Sequence, residues 1–110
     1  MSTENKTGYM VVTFRIKQGL YAEYRKAMID SQTTPTEDLV EHINAQVENY
    51  ILPESSTVEI DNEEYVKVNF RVLRDLYAEY KKVLIDARTN STADIKRHML
   101  RTVEAYHNAK

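Results

Sequence analysis

The chain repeats itself. Shifting the sequence by 56 positions superposes residues 9–50 on residues 65–106 without a gap. The block Leu20-Tyr21-Ala22-Glu23-Tyr24 recurs unchanged as Leu76-Tyr77-Ala78-Glu79-Tyr80. Phe14-Arg15 recurs as Phe70-Arg71, Ile29-Asp30 as Ile85-Asp86 and Val47-Glu48 as Val103-Glu104. Related residues stand between these blocks, Ile16 for Val72, Arg25 for Lys81, Met28 for Leu84 and Leu39 for Ile95. A gapless match of this density marks a duplicated unit, so any fold has to place the same unit twice.

Each unit reads strand, helix, helix. Apolar Met10, Val12, Phe14 and Ile16 alternate with Val11, Thr13, Arg15 and Lys17, and Val66, Val68, Phe70 and Val72 alternate with Lys67, Asn69 and Arg71. Period two over β-branched and aromatic positions predicts half-buried strands over residues 10–17 and 66–72. The period then lengthens: Leu20, Tyr24, Ala27 and Met28 share one helical face, repeated by Leu76, Tyr80, Val83 and Leu84. A polar turn follows in each unit. Thr34 suits a helix N-cap, Pro35 the first helical position, and Glu37 the far corner of a capping box. In the second unit Asn90 or Ser91 takes the capping role. The second helices carry stripes at Leu39, Ile43, Val47 and Tyr50, and at Ile95, Met99, Val103 and Tyr106.

A lone strand with one apolar face is unstable in water. Two copies solve this by pairing their strands antiparallel, with the apolar face of the resulting ribbon laid on four helices. The expected fold is therefore α+β, mostly α: two β-α-α repeats forming a pseudo-dimer around one two-stranded ribbon. Residues 1–8 are expected as a frayed arm, 9–50 as the first repeat, 51–64 as an acidic tether and 65–110 as the second repeat. With 110 residues the whole is one compact unit. In such a ribbon Thr13 lies near Asn69, Arg15 near Lys67 and Val11 near Arg71.

These features resemble the ribbon-helix-helix family of the Arc and MetJ repressors. The resemblance rests on Val68-Asn69-Phe70-Arg71-Val72, an amphipathic helix, a polar turn, and Asn90-Ser91-Thr92-Ala93-Asp94-Ile95 opening a second helix. It covers both copies, and the tandem copy in one chain is similar to conjugation accessory proteins of the TraY type. The resemblance implies sequence-specific binding of double-stranded DNA by the ribbon in the major groove. The role it implies is transcriptional repression or relaxosome assembly on a plasmid, phage or other mobile element. Carried over, the base-contacting positions are Val11, Thr13 and Arg15, and Lys67, Asn69 and Arg71. Their chemistry suits base reading, since arginine binds guanine O6/N7, asparagine binds adenine N6/N7, and valine touches a thymine methyl. The phosphate clamp maps to Thr34 and Thr36, and to Asn90, Ser91 and Thr92, at the positive ends of the second helices. Lys96 and Arg97 are added as phosphate candidates. Two departures stand out. The turns Ser31-Gln32-Thr33 and Ala87-Arg88-Thr89 lack the family's common glycine, and Glu37 and Asp38 lie beside the first clamp.

A net charge of −2 at first argues against nucleic acid. The charges are divided unevenly, however. Residues 65–110 hold ten Lys/Arg against five Asp/Glu, and residues 1–64 hold five against twelve. Local field governs phosphate contact, and the second repeat is basic. Diverged triplets and this charge split predict a non-palindromic site. Tyr21, Tyr24, Tyr77 and Tyr80 read as core packing; Tyr9 and Tyr65 fall on the outward strand face, where edge packing and backbone contact both fit. Asp38/His42 and Asp94/His98 read as i,i+4 surface pairs, with no third ligand for a metal. No catalytic residue, cofactor or metal is expected. Without cysteine, a signal peptide or an apolar run long enough to span a bilayer, the expectation is a cytoplasmic chain with no membrane partner. Expected partners are double-stranded DNA, further copies on adjacent sites, and a relaxase or other mobile-element protein. The alternative is a protein-interaction module or antitoxin-like partner without a primary DNA role.

Overall fold

A computed structural model describes residues 8–52 and 64–109. Most of the expected arm and tether therefore lies outside the described residues. The chain is α+β and mostly helical: β1 (Tyr9–Lys17), α1 (Gln18–Asp30), α2 (Pro35–Glu48), β2 (Tyr65–Leu73), α3 (Arg74–Asp86) and α4 (Ser91–Asn108). Each strand is slightly longer than its alternation predicts. β1 and β2 pair antiparallel, with Thr13 opposite Asn69, Arg15 opposite Lys67 and Val11 opposite Arg71. This is the register expected from the hydrophobic pattern. One step of slippage would turn every apolar residue to water.

Two further backbone bonds continue the ladder at both ends, Arg74 N–H to Gly8 C=O and Gln18 N–H to Glu64 C=O. Gly8 and Glu64, expected in arm and tether, are thus tied to the ribbon. On the inward face Val12, Phe14, Ile16, Val68, Phe70 and Val72 are buried. Phe14 and Phe70 meet edge to face at 6.2 Å. Beneath them α1 packs mainly on α4 and α2 on α3, so each helix leans on the other repeat more than on its own. Among the described residues no helix is long and apolar enough to cross a membrane.

The repeats differ in detail, and the differences have local causes. The apolar face predicted for α3 included Leu76 and Val83, yet Tyr77, Tyr80 and Leu84 are the buried residues there. The Tyr77 hydroxyl donates to Ser91 Oγ at 2.9 Å, drawing the ring inward. The equivalent position in the first repeat is Pro35, which has no hydroxyl, and there Leu20 is buried while Tyr21 is half-buried. Similarly, α2 ends at Glu48 whereas α4 continues to Asn108. Gln46 explains the early stop: its side chain accepts from Ile51 N–H and donates to Ile51 C=O, each at 3.0 Å, pinning the chain off the helix axis. The first residue of the expected tether is therefore held.

Both inter-helix turns close with paired bonds: Gln32 N–H to Ile29 C=O with Thr33 N–H to Met28 C=O, and Arg88 N–H to Ile85 C=O with Thr89 N–H to Leu84 C=O. This pattern places one residue in the left-handed region, where glycine has no Cβ to crowd the backbone. Gln32 and Arg88 occupy that position at φ 60° and 61°. They stand where the missing glycine would serve. Arg88→Gly should therefore stabilise the fold by about 0.5–1 kcal/mol, the relief of crowding less glycine's greater entropy in the unfolded chain. Urea titration of the variant beside the parent chain measures this, and a lowered midpoint would contradict it.

Candidate nucleic-acid interface

The outward ribbon face is built by strand alternation alone. Tyr9, Val11, Thr13 and Arg15 on β1, and Tyr65, Lys67, Asn69, Arg71 and Leu73 on β2, are exposed, and Lys17 is half-buried beside them. All six residues expected to contact bases thus share one surface. No acid stands among these ten positions. Val11 is 58% exposed on this face, with Tyr9, Tyr65 and Leu73 exposed beside it. At the centre the Thr13 hydroxyl donates to Asn69 Oδ1 at 2.8 Å. Arg71 lies over the Tyr9 ring, its guanidinium carbon 5.3 Å from the centroid. Tyr9 thus packs against an arginine of the paired strand, a cation–π contact. Tyr65 is exposed on the same face.

The expected clamp residues sit at the N-termini of α2 and α4, and the two ends are unequal. In α2 the Thr34 hydroxyl caps Glu37 N–H at 3.1 Å. Pro35 has no N–H, which leaves Thr36 as the one first-turn amide not bonded within the described residues. The Glu37 carboxylate accepts from the Thr33 hydroxyl at 3.0 Å and not from Thr34 N–H, so of the expected capping box only the Thr34 half is formed among the described residues. In α4 Asn90 is the cap, receiving Ala93 N–H at 2.9 Å. That resolves the choice between Asn90 and Ser91, whose hydroxyl is engaged by Tyr77. The amides of Ser91 and Thr92 both remain at the helix end. Lys96 is exposed, while Arg97 is half-buried and donates to Thr89 Oγ1 at 3.4 Å. Beside the N-terminus of α2, Glu37 and Glu41 line a groove of about 490 Å³ together with Tyr9 and Arg71. Asp38, expected there too, is turned inward.

The inward turn of Asp38 belongs to a feature the sequence did not disclose. Neither histidine pairs with the aspartate four residues before it. His42 Nε2 lies 2.7 Å from Asp94 Oδ2, and His98 Nε2 lies 2.7 Å from Asp38 Oδ2. Each pair joins one repeat to the other. The two imidazoles stack with centroids 4.2 Å apart. Tyr24 donates its hydroxyl to Asp38 and Tyr80 donates to Asp94, while Gln46 Nε2 donates to Asp94 Oδ1 at 3.1 Å. Burial alone would push both carboxyls up. Hydrogen bonds from His98 and Tyr24 to Asp38, and from His42 and Tyr80 to Asp94, outweigh it and hold both below the ordinary value. Ionised carboxylates only accept, so each histidine Nε2 carries the shared proton. Burial first, then the carboxylate partner, pushes the Tyr24 and Tyr80 hydroxyls far above the usual tyrosine range, which fixes them as donors. Chemically the network joins the repeats. Its signal in the sequence was the recurrence of Tyr, Asp and His together at the same offset, Tyr24/Tyr80, Asp38/Asp94 and His42/His98.

No protein-family model, curated protein or solved structure matches this chain. Among the described residues no group of three or more His, Asp or Glu could hold a metal ion. The functional reading therefore rests on the ribbon and the helix ends themselves.

Proposed function

We propose that the two repeats form a single-chain, pseudo-dimeric ribbon-helix-helix unit that binds duplex DNA sequence-specifically through β1 and β2. The observation that carries this reading is the outward ribbon face, where Arg15, Lys17, Lys67 and Arg71 surround Thr13 and Asn69 and no acid intervenes. A two-stranded ribbon fits the major groove, and these side chains supply donors for base edges and phosphates. The free amides of Ser91 and Thr92, with Lys96 nearby, suit a flanking phosphate. The first clamp, with one free amide and two glutamates, grips less. The unit accordingly binds in one orientation on a non-palindromic site. Repression of transcription, or accessory binding beside a DNA-processing complex of a mobile element, is the role consistent with the family resemblance.

Fluorescence anisotropy with labelled duplexes, first selected from a random library, tests this. Arg71→Ala should weaken the selected site by about 5–150-fold, which is ~1–3 kcal/mol, and leave random duplex nearly unchanged. Lys96→Ala should weaken both and reduce the salt slope by about one. Absence of salt-dependent duplex binding would refute the proposal. Equal losses on both duplexes for Arg71→Ala would remove the ribbon from base reading.

A further inference from the structure

The bond at the ribbon's centre changes which base edge Asn69 can read. An asparagine recognises adenine with both ends of its amide, Oδ1 accepting from N6 and Nδ2 donating to N7. Here Oδ1 is turned sideways onto β1, where it accepts the Thr13 hydroxyl at 2.8 Å. The amino group, with two donors, becomes the amide's free end. Thr13 has one hydroxyl hydrogen and has already given it to Asn69, so towards any further partner its oxygen can only accept. The cross-strand pair thus presents donors from β2 and an acceptor from β1.

We infer that, on the DNA-binding reading proposed above, this Thr13–Asn69 pair selects a G·C base pair at the centre of the site. In the major groove, guanine offers two acceptors, N7 and O6, and its cytosine offers the N4 donor. The asparagine amino group meets the first two and the threonine oxygen the third. An A·T pair interposes the adenine N6 donor, which would meet the amino group of Asn69 donor to donor. The neighbouring side chains reinforce the choice. Arg15 and Lys67 stand directly opposite each other across the ribbon, a like-charge juxtaposition that is unfavourable in the free protein and is relieved by acceptors placed over it. Arg71, held on Tyr9, also only donates. Val11 is the one apolar group of the two triplets, and it lies off centre, opposite Arg71. The middle of the face therefore asks for acceptors, and a thymine methyl is accommodated only towards one end.

The full chain, selected against random duplexes, should recover sites with an invariant central G·C pair. Replacing that guanine by 7-deazaguanine, which lacks N7, should weaken binding about tenfold or more while flanking replacements outside the arginine contacts do little. Thr13→Val keeps the strand's shape but frees Asn69 Oδ1, and it should move the central preference to A·T. Specific sites with a central A·T pair for the unaltered chain, or a Thr13→Val variant with unchanged preference, would overturn the inference while leaving DNA binding standing. Failure to retain any duplex would overturn the DNA-binding reading and the inference with it.

Discussion

Replacing Asp94 with alanine is expected to cost about 3–5 kcal/mol of folding stability, the range for removing one partner of a buried charged network. Its carboxylate is completely buried and receives Tyr80, His42 and Gln46. Without it the Tyr80 hydroxyl and the His42 imidazole lose their acceptor in the core, each expensive to leave unpaired, and the Gln46 amide loses one of its two acceptors. Asp38→Ala should cost less. The Asp38 side chain is 22% exposed and receives only Tyr24 and His98, so water can replace part of what is lost. Urea unfolding of the two variants gives the comparison directly, and equal costs would mean that the two networks are energetically alike. The same carboxylates set an acid limit. Folding lowers both of their pKa values, so in acid the unfolded chain binds more protons than the native one. Their stabilisation is fully in force above the ordinary aspartate value near ~3.9 and drains away as pH falls through the lowered native values. Tyr24 and Tyr80 shift the other way, so their contribution is intact below the usual tyrosine value near ~10 and is lost as pH rises beyond it. In Asp94→Ala the acid decline of stability should be shallower than in the parent chain.

Why the ribbon was legible and this network was not comes down to the range over which each is specified. Alternation at Val12, Phe14 and Ile16, and at Val68, Phe70 and Val72, fixes which face is buried, and antiparallel pairing of two equal strands then fixes Thr13 opposite Asn69. No angle between helices enters there. The histidines do depend on one. His42 and Asp38 are neighbours on α2 by helical spacing, and local spacing favours their pairing. The approach of α2 to α4 across the two repeats instead brings Asp94 to His42 and Asp38 to His98. Nothing within one helix encodes that crossing. Tyr77 shows the same limit on a smaller scale, because its burial depends on Ser91 in another helix. Thr34, Thr36, Asn90, Ser91 and Thr92 lie at the helix starts, as the capping signals indicate, yet the inequality of the two ends turns on which amides are already bonded, and that follows from Thr34 and Asn90 acting as caps and from Pro35 having no N–H.

Residues 64–110 produced alone should fail to give a stable monomer. Among the described residues β2 has β1 as its single strand neighbour, so the isolated segment would expose an unpaired strand edge and the apolar face of Phe70, which now meets Phe14. Asp94 would also lose His42 and Gln46, and α3 would lose α2. The repeat nevertheless carries substitutes for some of these partners. A second copy could offer its own strand, and His98 stands at the position of His42 in the first repeat. Gln46 has no such substitute, because its counterpart is Thr102, whose hydroxyl is bonded to His98 C=O at 2.9 Å. Self-pairing would therefore satisfy Asp94 less well and would bring two basic segments together. The isolated segment should accordingly show helicity and thermal stability that rise with concentration, and should exchange into a tighter one-to-one complex when residues 1–52 are added. Circular dichroism over a dilution series, with sedimentation to count chains, distinguishes the cases. A segment that stays monomeric, keeps its β2 amides protected from exchange and unfolds at the same temperature at every concentration would show that pairing is not what holds the unit together, and the pseudo-dimer would have to be abandoned.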